Sequence, residues 1–171
     1  MDIQEELRKS VALAVRRSAA TLKTDGPLFG FALATDDDVR TLYHVACTVD
    51  WVRENELSYP DIGFIFVEWP DSAHDDLFSP ISSRLATLSN QTSIEHAAWS
   101  SARDQRFNAL VLALKDCRDA GIFDEETLLV VGSTDPSEHL QALEMQAAKL
   151  LNRSKIISEY ARAIGSPMGS T

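Results

Sequence analysis

Clustered carboxylates are the side chains of this chain whose spacing comes closest to a chemical site. Asp36, Asp37 and Asp38 form one run, and Asp75 and Asp76 form another. Hard divalent cations take carboxylate oxygens as ligands, so each run is a candidate Mg²⁺ or Ca²⁺ site. The first run lacks the alternating ligands, central Gly and distal Glu of an EF-hand loop, and aspartates at a helix start act as caps without any metal. We therefore expect no metal and no cofactor.

Ser133 is the candidate nucleophile, because Gly132-Ser133 stands between a predicted strand and a predicted helix. A nucleophilic serine needs a base and an orienting acid, and the neighbouring sequence supplies no such pair. The four histidines fall at no metal-ligand spacing, and neither a phosphate-binding loop nor a G-x-S-x-G elbow is present. We predict that Ser133 serves a turn and that the protein is not an enzyme.

A metal-dependent hydrolase remains the alternative interpretation. Asp36, Asp38, Glu68 and Asp135 all follow or end predicted strands. Ligands of α/β proteins often lie outside the carboxyl ends of the strands, where such side chains could converge. This hypothesis predicts that the four carboxylates meet and hold a divalent ion.

The charge distribution narrows the class of partner. Residues 25–78 hold twelve acidic and two basic side chains, and the whole chain has a formal net charge of −10. Nucleic acid is an unsuitable partner because phosphate binding needs a basic face. An acidic block of this kind can steer a basic protein partner, or it can simply be a solvated face.

Cysteine usage and hydropathy indicate a cytoplasmic protein. Cys47 and Cys117 lie far apart among apolar residues, in no metal or disulfide pattern, so we expect both to be buried free thiols. The N-terminus is charged from its second residue, so no signal peptide is predicted. The apolar runs are too short to cross a membrane, and we expect no membrane association.

Hydrophobic periodicity and turn residues predict a single α/β domain over residues 1–165, followed by a disordered tail at 166–171. The predicted order is α-β-α-β-α-α-β-α, in which the last α stands for two consecutive helices, with a small sheet of three or four strands covered by helices. A fourth strand near residues 72–80 is left open. The predicted strands are 28–35, 62–68 and 127–131, and the predicted helices are 2–23, 36–55, 81–89, 93–119, 137–151 and 154–164.

Three segments carry a resemblance to a known family. Residues 29–38, running into Leu42-Tyr43 and residues 46–48, resemble the opening of the bacterial DUF4303 family. Glu68-Trp69-Pro70, followed by Phe78 and a helix, is similar to its second landmark, and residues 133–136 fit the end of its last strand. The resemblance covers about residues 3–150. It carries over no catalytic residue, since the family has no established activity.

What the resemblance implies is a protein that binds and neutralises a cognate bacterial toxin, because small acidic proteins of such families act as immunity factors. The partner would be that toxin or another basic protein, and Trp69 would act as an aromatic anchor unless it closes the edge of the core. A homodimer that pairs the long helix at 93–119 is a further alternative. The expected partner-binding residues are Asp37, Asp38, Glu68, Trp69, Asp75 and Asp76.

Overall fold

A three-stranded mixed sheet lies at the centre of the fold. The structure is a computed structural model, and it describes residues 2–22, 26–59, 61–70, 75–91 and 96–165, apart from the side chains of Asp75 and His96. The central strand, β1 (Leu28–Thr35), pairs antiparallel with β2 (Tyr43–Thr48) and parallel with β3 (Leu128–Ser133). β1 carries no polar side chain before Thr35, as expected of a strand whose two faces are covered.

Helices cover both faces of this sheet, which confirms the predicted small sheet covered by helices. None of those in the described ranges is long and apolar enough to cross a membrane. Two short 3₁₀ turns, Ile62–Phe64 and Phe66–Glu68, lie between the second and third helices. The helices are α1 (Ile3–Leu22), α2 (Val49–Glu56), α3 (Asp75–Gln91), α4 (His96–Asp119), α5 (Glu138–Leu151) and α6 (Ser154–Ala163).

Alternation along β1 produces two cores of different character. Phe31 and Leu33 face a first core, which also takes in buried side chains of α1, α3 and α4. Ala32 and Ala34 point to the opposite face and into a second core. The two 3₁₀ turns, which together form the 3₁₀ segment (residues 62–68), and α6 also pack there. Successive strand residues face opposite sides of the sheet, so one strand separates a bulky face from a small one. The small face leaves room for large aromatic rings.

Residues 28–48 form a hairpin of β1, a loop and β2, so the predicted helix over 36–55 is wrong for residues 36–48. Asp36 accepts the backbone N–H of Arg40 at 2.7 Å, and Val39 adopts the left-handed conformation with φ of 52°. The aspartate run therefore closes the loop between β1 and β2 instead of capping a helix. Both faces of β2 are buried, and an apolar segment covered on both sides satisfies the helical and the strand period together.

The predicted strand at 62–68 is also wrong. The backbone N–H groups of Phe64, Ile65 and Glu68 bond to carbonyls three residues earlier, at 2.8, 3.1 and 2.9 Å. Because these polar groups are satisfied locally, the segment needs no partner strand. Its apolar residues belong to the second core instead.

The remaining predicted boundaries need smaller changes. The helix predicted at 81–89 begins earlier, at residue 75, so the fourth strand left open near 72–80 is not found from that point onward. Residues 71–74 and the predicted tail at 166–171 lie outside the described part of the chain. Cys47 and Cys117 are buried free cysteines, as predicted, and burial raises the pKa of the Cys47 thiol to about 12.

The side chain of Asn152 closes the outer edge of β3 at Leu129. Asn152, which follows α5, accepts the N–H of Leu129 through Oδ1 and donates through Nδ2 to the carbonyl of Leu129, both at 2.7 Å. Leu129 is fully buried, so its backbone groups have no water to turn to. The amide of Asn152 thus replaces a neighbouring strand at this position.

Asn152→Ala is expected to lower the free energy of unfolding by about 2–4 kcal/mol, since each buried polar group left unpaired costs about 1–3 kcal/mol. Urea unfolding followed by circular dichroism measures this loss. Asn108→Ala, on an exposed face of α4, is the matched control and should change stability by less than about 0.5 kcal/mol. Equal losses in the two variants would contradict the edge-closing role.

Candidate functional site

The carboxyl ends of β1 and β3 lie side by side, because the two strands are parallel and in register from Gly30↔Leu128 to Thr35↔Ser133. Hydrogen bonds join the segment after β3 to the end of β1 and to the loop that follows β1. Thr134 donates its N–H to the carbonyl of Thr35 at 3.2 Å, and Ser137 donates its N–H to Oδ1 of Asp37 at 2.9 Å. The hydrogen bond from Ser137 holds the pKa of Asp37 below its usual value.

A buried arginine supports the hairpin loop from α4. Arg106 is 2% exposed, and its guanidinium donates to the carbonyl of Val39 at 3.2 Å and to that of Asp38 at 3.0 Å. Val39 is fully buried in a left-handed conformation that β-branched residues rarely adopt. These two hydrogen bonds stabilise the strained loop.

Three polar side chains, Arg103, Asp104 and His139, join α4 to the start of α5. Arg103 contacts the carboxylate of Asp104 at 3.0 Å, and the other oxygen of Asp104 lies 2.9 Å from Nε2 of His139. The positive charge of Arg103 also helps to lower the pKa of Asp37. Side chains of α4 therefore hold both the loop after β1 and the start of α5, which follows the loop after β3.

Next to the loops lies a cavity of about 430 Å³. This volume falls within the range that small ligands occupy in proteins, roughly 300–1,000 Å³. None of the described residues that line it is a lysine, arginine or histidine. Its apolar walls come from the 3₁₀ segment, α5 and α6, namely Phe64, Phe66, Val67, Met145, Tyr160 and Ile164.

Glu144 of α5 brings a carboxylate into this apolar cavity. Its Oε1 accepts the backbone N–H of Ser133, the last residue of β3, at 2.5 Å. Burial raises the pKa of Glu144 to about 7, against the lowering effect of the hydrogen bond from Ser133, and the negative charge of Asp37 raises it further. Burial likewise raises the pKa of Tyr160, which lines the same cavity.

The geometry around Gly132 accounts for the position of the Phe66 ring. A Cβ on Gly132 would lie 2.8 Å from the ring of Phe66 and 3.4 Å from Oε1 of Glu144. The glycine therefore lets the Phe66 ring approach the end of β3, whereas Glu144 Oε1 would be in ordinary contact with such a Cβ. Phe66 and Glu144 both line the cavity.

Two of the exposed carboxylates considered above flank the cavity. Glu68 follows Val67, and Asp135 stands between Thr134 and Pro136, all three of which line the cavity. Glu68 is one of the predicted partner-binding residues, whereas Asp135 belonged to the hydrolase alternative. Both therefore lie beside the opening of the cavity.

The remaining predicted contact residues are placed differently. Asp37 and Asp38 lie in the hairpin loop, where Asp38 approaches Arg40 at 3.9 Å. Asp76 is exposed in the first turn of α3. Nothing in the described part of the chain links Asp76 to the loops at the carboxyl end. The side chain of Asp75 lies outside the described residues.

Trp69 is a core residue rather than an exposed anchor. It is 3% exposed, its ring lies against Gly30 of β1, and its Nε1 donates to the carbonyl of Gly63 at 3.2 Å. A Cβ on Gly30 would come within 2.2 Å of the ring, so the strand and the indole fit only because residue 30 is glycine. The structure thus gives Trp69 the core role that was its alternative.

The carboxylates of the hydrolase hypothesis do not form a metal site. Among the side chains that the structure describes, no three or more His, Cys, Asp or Glu residues are grouped closely enough to hold an ion. Ser133 Oγ accepts the N–H of Asp135 at 3.2 Å, which confirms its predicted turn role.

Glu144 is the residue that the sequence interpretation missed. It lies at helical spacing within the buried stripe of α5, four residues after Leu140 and four before Ala148. A lone acidic residue in an apolar stripe is a signal of a buried functional or structural carboxylate. The environment that raises its pKa, however, comes from distant segments.

Comparisons with known proteins complete this description. The model of DUF4303, a domain of unknown function, matches residues 9–153. Neither the curated proteins nor the solved structures contain a match to the chain. The matched residues include the hairpin loop, the 3₁₀ segment, β3 and Glu144, and so they contain most of the site described above. The chain therefore belongs to the DUF4303 family.

Proposed function

We propose that this protein binds a basic protein partner at the carboxyl end of its sheet. The observation that carries the proposal is the hydrogen-bonded pair of loops, which holds acidic side chains from two distant segments beside a cavity whose described lining residues include no basic side chain. Asp36, Asp37 and Asp38 come from one loop, Asp135 comes from the other, and Glu138 begins α5. Complementary charge of this kind speeds association and selects partners.

The rigidity of the site supports binding rather than chemistry. Arg106 and Ser137 fix the loops through hydrogen bonds, so little ordering is needed when a partner arrives. A surface organised in advance loses less conformational entropy on binding. We further propose that the partner is a toxin, that the protein neutralises it by direct contact, and that it does so in the cytoplasm.

Charge reversal at the opening of the cavity tests the proposal. The double variant Glu68→Lys, Asp135→Lys is expected to weaken partner binding by at least about tenfold, because like charges replace attractive ones. Binding of the native protein should also fall as salt is raised. The partner is isolated by affinity capture from the native host, identified by mass spectrometry, purified, and titrated calorimetrically against each variant.

The matched control reverses two charges at the start of β3, the end opposite to Asp135. Glu125 and Glu126 precede β3 and form ion pairs with Arg153. Glu125→Lys, Glu126→Lys should bind as the native chain does. Co-expression with the isolated partner then tests neutralisation: the native chain and the control should relieve growth arrest, whereas the reversal variant should not. Equal binding by all three proteins would exclude this end of the sheet as the interface.

A further inference from the structure

We propose that the cavity beside β3 receives a lysine side chain of the partner, with its ammonium on Glu144 and its alkyl stem against the aromatic walls. This inference rests on the proposed function, because it assigns the occupant to the basic partner. It adds a specific recognition pocket to what would otherwise be a general attraction between charged surfaces.

The carboxylate of Glu144 leaves one oxygen for an incoming donor. Oε1 already accepts the N–H of Ser133, and in the described part of the chain no hydrogen bond to Oε2 is present. A carboxylate held in apolar surroundings is stabilised by a cation that enters and replaces the lost water. Because none of the described residues that line the cavity is basic, we assign that cation to another molecule.

The shape of the acceptor favours an ammonium over a guanidinium. Arginine binds carboxylates best through two parallel hydrogen bonds, and one oxygen of Glu144 is already engaged. The lysine ammonium is a compact charge that one oxygen can hold, and its four-carbon stem suits apolar walls. Phe64, Phe66 and Tyr160 supply aromatic rings that also attract cations.

The charge at the opening agrees with this occupant. Glu68 and Asp135 flank the cavity and would attract a basic segment before its lysine enters. The other titratable groups that act on Glu144 are Asp37, which is acidic, and Tyr160, whose raised pKa keeps it neutral. A neutral or anionic side chain would gain nothing from this arrangement.

Three probes separate the chemistry of the occupant. Nα-acetyl-lysine N-methylamide represents a lysine within a chain, n-pentylammonium a free amine, and n-pentanol a neutral molecule of the same length. Each is titrated into the full-length protein at about pH 8, where the carboxylate is ionised and the amine is still charged. Amide chemical shifts of residues 133–145 and calorimetry report binding.

The lysine probe and n-pentylammonium are expected to bind saturably, and n-pentanol at least about tenfold more weakly. Glu144→Gln, which keeps the hydrogen bond to Ser133, should weaken the lysine probe by at least about tenfold, whereas Glu126→Gln at the opposite end of β3 should not. Binding should also weaken as the pH is lowered through about 7, where Glu144 becomes protonated.

Several results would overturn the inference. Equal binding of n-pentanol would make the cavity a purely apolar site, and binding of n-pentylammonium without the lysine probe would assign it to a free amine. No saturable binding of any probe would leave it without an occupant of this class. If Glu144→Gln still binds the partner at native affinity while the Glu68, Asp135 reversal does not, the lysine pocket fails and the proposed function stands.

Discussion

Trp69→Ala is expected to lower the free energy of unfolding by about 3–5 kcal/mol, the usual cost of truncating a buried aromatic side chain. The indole fills the space over Gly30 and packs with the second core, and its Nε1–H bonds to the carbonyl of Gly63. Its loss would leave a void and an unpaired carbonyl. Urea unfolding monitored by far-ultraviolet circular dichroism measures the change.

The close fit to Gly30 allows a sharper test of the same contact. Gly30→Ala alone should destabilise the protein by about 1–3 kcal/mol, because the new Cβ would collide with the indole. In the Trp69→Ala background the same substitution should cost much less, since the ring is gone. Additive losses in this double-mutant cycle would show that the two residues do not share one packing site. Asn108→Ala again serves as the surface control.

Glu144→Gln is expected to stabilise the protein above neutral pH, by up to about 3 kcal/mol, because one pKa unit is worth about 1.4 kcal/mol. The pKa of Glu144 rises from 4.5 to about 7 on folding, so the folded state binds the proton more tightly than the unfolded state does. Stability contributed by the protonated form is therefore present below about pH 4.5 and is lost as the pH rises toward 7.

The difference between the two proteins isolates this effect from other carboxylates. The pKa values of Asp37 and Asp116 are lowered, so these groups stabilise the fold as pH rises, in the native chain and in the variant alike. The free energies of unfolding of the two proteins should nearly coincide at about pH 4.5, separate as the pH rises to about 7, and keep a nearly constant difference from there to about pH 8. A difference that stays constant from about pH 4.5 to 7 would mean that Glu144 does not titrate in the folded state as described.

Stability and binding thus make opposite demands on Glu144. A half-buried carboxylate that destabilises the folded protein at neutral pH is a feature that selection for stability alone would remove. Strained or unfavourable groups of this kind are concentrated at binding and catalytic sites. The substitution that improves stability should therefore be the one that impairs recognition of the lysine.

Several features of this protein follow from local sequence alone. β1 was predicted at its observed bounds, because an apolar run between turn signals has few other solutions. α1 and α5 were predicted to within about two residues, since an amphipathic stripe and helix-start residues mark them. The family and the acidic character are likewise properties of the chain itself.

Only the tertiary structure shows which segments are strands when both faces are buried, and which distant residues meet at the cavity beside β3. β2 was mistaken for part of a helix, because an apolar segment covered on two faces shows no distinctive period. Trp69 lies in the core because Gly30, far away in sequence, leaves space for it. Burial among distant segments raises the pKa of Glu144, and the charge of Asp37 raises it further; no local pattern connects these groups. Local propensity and periodicity report on neighbours along the chain, whereas cavities and shifted pKa values arise from contacts between distant segments.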